Sequence, residues 1–478
     1  MSGPLAHLTA LGGDPCRAWI VGGALRDELL GRETADYDLA VDGDAEQLAR
    51  SLARAARAHV FPLSDAFGAW RAVGAGGSWQ VDFTPLMGAT LADDLARRDF
   101  TINAIARPLG GGALIDPHGG VADIGARVLR MVGPRSLSDD PLRVVRLVRL
   151  ATELGFAVDP ATSAAARAAS PGLVAVAGER VFAELRRIVC SERAVAGLRQ
   201  LEDSGAADVV LPELPALRGV EQSGYHHLDV HDHTLATLQA TIDLMREPEA
   251  VFGPAAIGLR EVLDAPFANE LTRGQALRFG AIMHDIAKPE TRAVSDEGRI
   301  TFFGHDRAGA ELSRAILGRL RASEKLAAFV AAVTRDHLRL GFLVHEAPLS
   351  GRALYGYLAA CEPAEVEVTV LSVADRLATR GHRSQEAIER HVALARDVLP
   401  AAVSWRASRP RPPVRGDVLA TTLGIDPGPR LGAVLAELAE ATYAGEVSGE
   451  AEAVAHARAW LAHTHTPSAG AVASEGDG

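Results

Sequence analysis

The chain has 478 residues, of which 48% are hydrophobic and 23% charged, proportions of a globular protein too long for one ordinary core, so two to four domains are predicted. No run of about 18 apolar residues predicts a membrane span. Acidic residues outnumber basic ones by 61 to 49, for a net charge of -12, which excludes a generic nucleic-acid coat and means that an RNA partner needs a local basic patch.

The segment from Met1 to Leu11 lacks the basic region and long apolar run of a signal peptide, so a cytoplasmic protein is expected. Cys16, Cys190 and Cys361 lie far apart and form no CxxC pair, so a bound metal must sit on histidines and carboxylates. Lys288 and Lys325 are the only lysines. Arginine suits bidentate phosphate contacts, but on composition alone a coding bias toward Arg and Ala is the better explanation.

From Trp19 to about Pro108, short apolar runs alternate with Gly and Asp turns around a helical stretch at Ala45 to Ala58, which predicts a small α/β domain at residues 1–130. In Ile20-Val21-Gly22-Gly23-Ala24-Leu25-Arg26-Asp27, paired glycines stand between an apolar strand and a helical run. There backbone N–H groups can approach a phosphate, which makes Gly23 and Arg26 candidate nucleotide contacts. About ten residues on comes Asp36-Tyr37-Asp38-Leu39. If this is a strand, its period of two puts both carboxylates on one face, where they can hold Mg²⁺ between a triphosphate and an attacking hydroxyl; the plainer alternative is a solvated turn. Asp82, in the apolar stretch Trp79 to Phe83, is a candidate third carboxylate from a neighbouring strand.

Residues 131–219 read as a helical neck, with Arg143, Arg146 and Arg149 interleaved among Val and Leu. Asp140 and Arg143 are three apart, so on a helix they share a face. A carboxylate there accepts from the exocyclic amine of C or A and a guanidinium donates to the adjacent ring acceptor, whereas U and G present a carbonyl oxygen that the carboxylate repels. The alternative for Asp140 is a helix N-cap, since Pro141 suits the first helical position. Each step of three falls about 60° short of a turn, so Arg149 lies roughly opposite Asp140; Arg146 remains open between base and phosphate.

These motifs together resemble a family. Gly22-Gly23 with Arg26-Asp27, then Asp36 and Asp38, then Arg97-Arg98-Asp99-Phe100-Thr101-Ile102-Asn103-Ala104 resemble the class II tRNA nucleotidyltransferases, the CCA-adding enzymes and bacterial poly(A) polymerases of the polymerase β-like superfamily. Ile115 to Gly120, Asp139 to Arg146 and Gly178-Glu179-Arg180 continue the likeness over roughly the first 200 residues, with Asp139 standing where the family usually has Glu. The resemblance implies template-independent addition of C and A from CTP and ATP to the 3′ end of tRNA. It implies Mg²⁺ on Asp36 and Asp38 and a nucleotide site that includes Arg149, a residue added by resemblance alone. Arg98 can pair with triphosphate oxygens, while Asp99 or Asn103 serves as a hinge in the same turn. The flexible loop that the family places before the Arg-Arg-Asp motif is here shortened to Thr84 through Ala92, so a partial enzyme adding CC or only the terminal A is an open reading.

Residues 220–405 are helical and rich in His and Asp. The segment Tyr225-His226-His227-Leu228-Asp229-Val230-His231-Asp232-His233 is followed by His284-Asp285, His305, His337 and Asp375. The order His, His-Asp, His, His, Asp resembles the HD phosphohydrolases, which implies a divalent metal, Mn, Fe, Ni, Co or Mg, on His233, His284, Asp285, His305, His337 and Asp375. The alternative is a degenerate domain kept for packing or RNA binding. Ile286-Ala287-Lys288-Pro289 resembles HD domains joined to nucleotidyltransferases. A Pro-rich linker at Pro410 to Pro413 opens the last part, residues 406–478, an amphipathic segment with a disordered polar tail expected from His463 onward. The expected fold is thus multidomain: a polymerase β-like α/β head, an all-α neck and an all-α HD domain. Two rival functions stay open, a poly(A) polymerase and a metal phosphohydrolase whose head only binds nucleotide or RNA.

Overall fold

The computed structural model describes residue 7 and residues 18–64, 67–222, 227–379, 384–407 and 409–464. Cys16, Tyr225, His226 and the tail from 465 lie outside these. The chain gathers into two compact units, residues 1–215 and 216–478.

In the first unit, six strands form one sheet: β1 (Ala18–Val21), β2 (Asp36–Val41), β3 (His59–Ser64), β4 (Ala69–Val73), β5 (Gln80–Pro85) and β6 (Ala106–Pro108), in the order β3-β4-β5-β2-β1-β6. Only β2 and β5 run parallel. These two central strands carry buried Leu39, Val41, Val81 and Phe83, each side chain stabilising the sheet by roughly 1.5–3 kcal/mol relative to exposure. The helix Ala45–Ala56 packs against β3, β4 and β5. Its buried residues Ala45, Ala49, Leu52 and Ala53 lie on one face, as a period of 3.6 demands, and Asp44 caps it by accepting from the Gln47 N–H.

The neck is a trio of mutually packed helices, Leu142–Leu154, Gly178–Cys190 and Ala194–Asp203. Strand β5 passes to the Arg-Arg-Asp motif through residues 86–90 and the helix Leu91–Ala96. This connection is closed rather than open. Thr90 and Asp93 form a reciprocal capping box, and buried Asp94 accepts from the Met87 N–H at 3.1 Å. Gly88, at φ 147°, lets the chain pass where a Cβ would come 2.4 Å from Asp93 Cβ.

In the second unit, the helices Val230–Arg246, Arg273–Met283, Glu324–Asp336 and Glu365–Ala378 pack on one another, with His305–Arg319 against Glu324–Asp336. A short hairpin, Ala293–Val294 with Ile300–Thr301, interrupts the helical pattern. Three further helices, Gly416–Leu423, Pro429–Tyr443 and Glu450–Thr464, enclose an apolar core of Leu419, Val434, Leu438 and Ala453 among others. Arg352 ties this group to the helix Gly351–Cys361 through Glu437 at 2.8 Å and Glu446 at 2.7 Å. Among the described residues, no helix is long and apolar enough to cross a membrane.

Candidate active site and metal centre

Strand β1 ends at Val21, and the turn to the helix Gly23–Leu29 is made by Gly22 at φ 76°. A Cβ at Gly22 would stand 3.0 Å from Arg98 Nη1 and 3.3 Å from Asp38 Oδ2. Left-handed backbone and lack of room thus coincide where the glycine turn, the carboxylate strand and the Arg-Arg-Asp motif meet. Gly22→Ala is expected to cost about 1–3 kcal/mol of stability and to displace Arg98, readable as a drop in thermal midpoint together with weaker CTP binding.

Asp36 and Asp38 both lie on β2, and Asp38 is the cross-strand partner of Asp82 on β5. The second glycine of the pair, Gly23, begins the helix, and Arg26 at the start of its last turn is fully engaged. Its Nη1 donates to Asn103 Oδ1 at 2.8 Å, and Nε and Nη2 donate to Asp27 at 3.0 and 2.9 Å. Asp82 is engaged too. Arg71 on β4, directly opposite in register, donates Nε and Nη2 to its two oxygens at 2.7 Å each. Arg71 was not among the candidates, because nothing in one short strand's sequence shows which strand pairs with it.

Asp38 lines a cleft of about 830 Å³, together with Asp94, Arg97, Arg98, Asp140, Arg143, Arg146 and Arg180. Its carboxyl is pushed up to about 6, first by loss of hydration in the cleft, against the pull of Arg98, and further by repulsion from Asp36 and Asp82. Only the ionised form attracts a cation. As pH falls through about 6, a proton therefore competes with any cation for Asp38, and divalent-cation affinity of the head is expected to fall below that value, measured by calorimetry against Asp38→Ala.

The Arg-Arg-Asp segment is held by its neighbours. Asp99 is buried and accepts from the Phe100 N–H at 2.8 Å and Asn103 Nδ2 at 3.0 Å, and Arg146 Nε stands 2.6 Å from its other oxygen. Burial works to raise the Asp99 pKa, but the Arg146 charge and these hydrogen bonds outweigh it and hold the group below the usual carboxylate range. Arg98 pairs with Asp94 at 3.1 Å.

Asp140 and Arg143 both line the cleft but do not pair. Arg143 donates to the carbonyls of Ser136 at 3.0 Å and Arg97 at 2.8 Å. Asp140 accepts weakly from the Leu142 N–H at 3.3 Å, so it also caps the neck helix, while its other oxygen accepts from Arg180 at 3.3 Å. Arg180 belongs to the short Gly178-Glu179-Arg180 motif, and its reach to Asp140 across 40 positions has no local signal. The structure corrects the inclusion of Arg149. That residue does not line the cleft; it is buried in ion pairs with Glu184 and with Glu153 at 3.0 Å. The shortfall of three steps per turn carries it around the helix, into the neck core.

In the second unit, His233, His284 and Asp375 each bring one ligand atom within 4.8 Å of the others, and so do Asp285, His305 and His337. Asp285 joins the groups: its oxygens lie 3.1 Å from His284 Nε2, 3.3 Å from His305 Nε2, 3.6 Å from His233 Nε2 and 4.0 Å from His337 Nε2. Asp375 lies 2.9 Å from His233 Nε2. His284, His305 and His337 sit at helix ends, where each Nδ1 reaches the carbonyl three residues back, Ala281 at 2.9 Å, Phe302 at 2.7 Å and Thr334 at 2.6 Å. Donation from Nδ1 leaves Nε2 as an acceptor aimed inward. The Nε2 atoms of His284 and His305 are buried and satisfy no hydrogen-bond geometry, although a carboxylate oxygen faces each. Two acceptors face to face repel unless a cation lies between them, so this donor set fits a divalent metal.

Burial lowers His337 to about 4 and keeps it neutral, as ligation requires. Lys288 Nζ lies 2.6 Å from Asp285 and donates to Gln222 at 2.7 Å; the Ile286 to Pro289 motif had pointed at this residue without giving it a partner. Of the His-rich stretch, His233 reaches the cluster, whereas His231 is buried beside Asp232 at 3.3 Å.

The fold and the two sites define a nucleotidyltransferase head joined to a neck and an HD domain. Residues 18–74 and 67–130 match the poly(A) polymerase head domain, residues 155–217 the probable RNA and SrmB-binding site of polymerase A, and residues 230–380 the HD domain. The chain is 38% identical to an A-adding tRNA nucleotidyltransferase of Deinococcus radiodurans, over 94% of this chain and 97% of that one, and 35% identical to a CC-adding tRNA nucleotidyltransferase of Thermus thermophilus, over 95% and 96%. It therefore belongs to the tRNA nucleotidyltransferase family and is an enzyme of that class. Among solved structures, a CCA-adding enzyme in apo form matches with a TM-score of 0.64 at 20% identity over 95% of this chain and 93% of that one. A Thermotoga maritima CCA-adding enzyme complexed with tRNA matches at 0.61 and 21% identity, over 95% and 94%. These last two likenesses concern the fold.

Proposed function

We propose that the enzyme adds C or A nucleotides, taken from CTP or ATP, to the 3′ end of tRNA in the cytoplasm. The observation that carries this reading is the placement of Asp38 beside Asp82 and in the lining of a cleft that also holds Arg98 and Asp140. Asp36 and Asp38 would hold Mg²⁺, which would supply charge neutralisation for the triphosphate and the attacking oxygen. Arg98 takes triphosphate oxygens, the Gly23 amide faces the same charge, and Arg26 braces the turn through Asn103. The RNA 3′-hydroxyl attacks the α-phosphorus, the bond to the β-phosphate oxygen breaks, and pyrophosphate leaves. Arg146 acts through Asp99 on the hinge; we assign it no base contact.

Asp140 selects C and A by accepting from their exocyclic amine, with Arg143 or Arg180 donating beside it. Asp140→Ala is expected to relax selection against UTP by about 1–3 kcal/mol, roughly 5- to 150-fold, while incorporation continues. Supplying each NTP separately to truncated tRNA reads this directly, and unchanged selectivity would remove Asp140 from the base site. Long A tails in the same assay would favour the poly(A) polymerase reading.

The closed connection at residues 86–90 supports partial addition, CC or the terminal A, as do the activities in the names of the two bacterial relatives. A second reading runs alongside. The inward Nε2 atoms support phosphohydrolase activity in the HD domain, with Mn, Fe, Ni, Co or Mg held by His233, His284, Asp285, His305, His337 and Asp375. We divide the chain into head 1–130, neck 131–219, HD domain 220–405 and C-terminal helices 406–478.

A further inference from the structure

Both oxygens of Asp82 are occupied by Arg71. A bidentate guanidinium is the strongest ordinary partner a carboxylate finds in a protein, and it uses the lone pairs that a metal ion needs. Asp82 nevertheless lies beside Asp38, on the sheet positions where a third carboxylate completes a metal site. Arg71 pairs in register with Asp82, and Asp82 with Asp38, so Arg71 lies on the same face of the sheet as both carboxylates. Its side chain keeps 28% of its surface exposed, against 12% for Asp82. Arg71 is therefore the more accessible member of the pair.

We propose that Arg71 is an RNA-operated latch on the third carboxylate. This rests on the nucleotidyl-transfer reading above. In the RNA-free enzyme Arg71 withholds Asp82 from metal. When the 3′-terminal phosphodiester of the RNA enters, Arg71 exchanges one bidentate oxyanion for another, carboxylate for phosphate, and Asp82 joins Asp36 and Asp38. The exchange conserves ion pairs, so its cost is small, and it ties completion of the metal site to the presence of an acceptor. Arg71 is thus a positioning residue, and NTP hydrolysis without RNA is disfavoured.

The test is Mn²⁺ binding to the full chain, followed by electron paramagnetic resonance with and without tRNA. The Asp38-dependent component is defined by subtracting the same measurement on Asp38→Ala, which removes the HD contribution. In the wild type, tRNA is expected to tighten this component by at least about fivefold, the lower end of ordinary site-to-site coupling. In Arg71→Gln the component should already be tight without tRNA and should gain less than about twofold from it, with Arg71→Lys intermediate because it keeps the charge and loses the fork. A tRNA effect that persists unchanged in Arg71→Gln overturns the proposal, as does weaker RNA-free Mn²⁺ binding in a variant that unfolds at the wild-type temperature. If Arg71→Gln does not fold, Arg71→Lys decides by the same readout. Loss of no Mn²⁺ on Asp38→Ala would instead refute the underlying reading of the head, a result distinguishable from failure of the latch.

Discussion

Asp38→Ala is expected to reduce nucleotide incorporation into tRNA by on the order of a thousandfold or more, with CTP binding and the melting temperature little changed. The size follows from what the side chain does. Asp38 is central in the carboxylate row, paired in register with Asp82 and two residues from Asp36, so its loss breaks the row at its middle. The stability effect should be small, since removing Asp38 relieves its loss of hydration and its repulsion with Asp36 and Asp82 while giving up its attraction to Arg98. Single-turnover extension of a truncated tRNA checks the rate and calorimetry checks the fold. Incorporation within about tenfold of wild type would show that the metal is held elsewhere.

The second large effect lies in the HD domain. Asp285→Asn keeps the shape of the residue, removes the charge and places an amide against inward Nε2 atoms, so divalent metal affinity is expected to fall by at least about a hundredfold, beyond the range typical of outer-shell changes. Four imidazoles, Asp375 and Lys288 surround that one carboxylate. Metal content after dialysis, measured by mass spectrometry, should drop while tRNA extension continues. Full metal retention would support a domain kept for packing or RNA binding.

How much of this was legible in the chain depended on whether a signal was local. The octapeptide Arg97 to Ala104, the glycine turn at Gly22 and the alternation of Asp36 and Asp38 are local patterns from which the α/β head followed, while the helical pattern with Arg143, Arg146 and Arg149 marked the neck and the ordered His and His-Asp positions from His233 to Asp375 marked the HD domain. Helical arithmetic already set Arg149 on the far side from Asp140, and the structure places it in a buried ion pair there; resemblance alone had kept it in the site. Arg71, Arg180 and Lys288 were not assigned for one shared reason. Each becomes meaningful only through a partner on another element, Asp82, Asp140 and Asp285, and strand order or helix packing is needed to bring them together. The connection before Arg97 was read as short, but that Asp93 and Asp94 close it required the coordinates.

The central claim is transfer of C or A to tRNA, and product length tests it most directly. Purified enzyme is given tRNA lacking its last three nucleotides, tRNA lacking only the terminal A, and full-length tRNA, each with CTP and ATP, and products are sized to the nucleotide. The expected result is extension of at least one truncated substrate by one to three residues, then arrest, with full-length tRNA left unextended. Homopolymer growth, or no incorporation into any of the three, would contradict it.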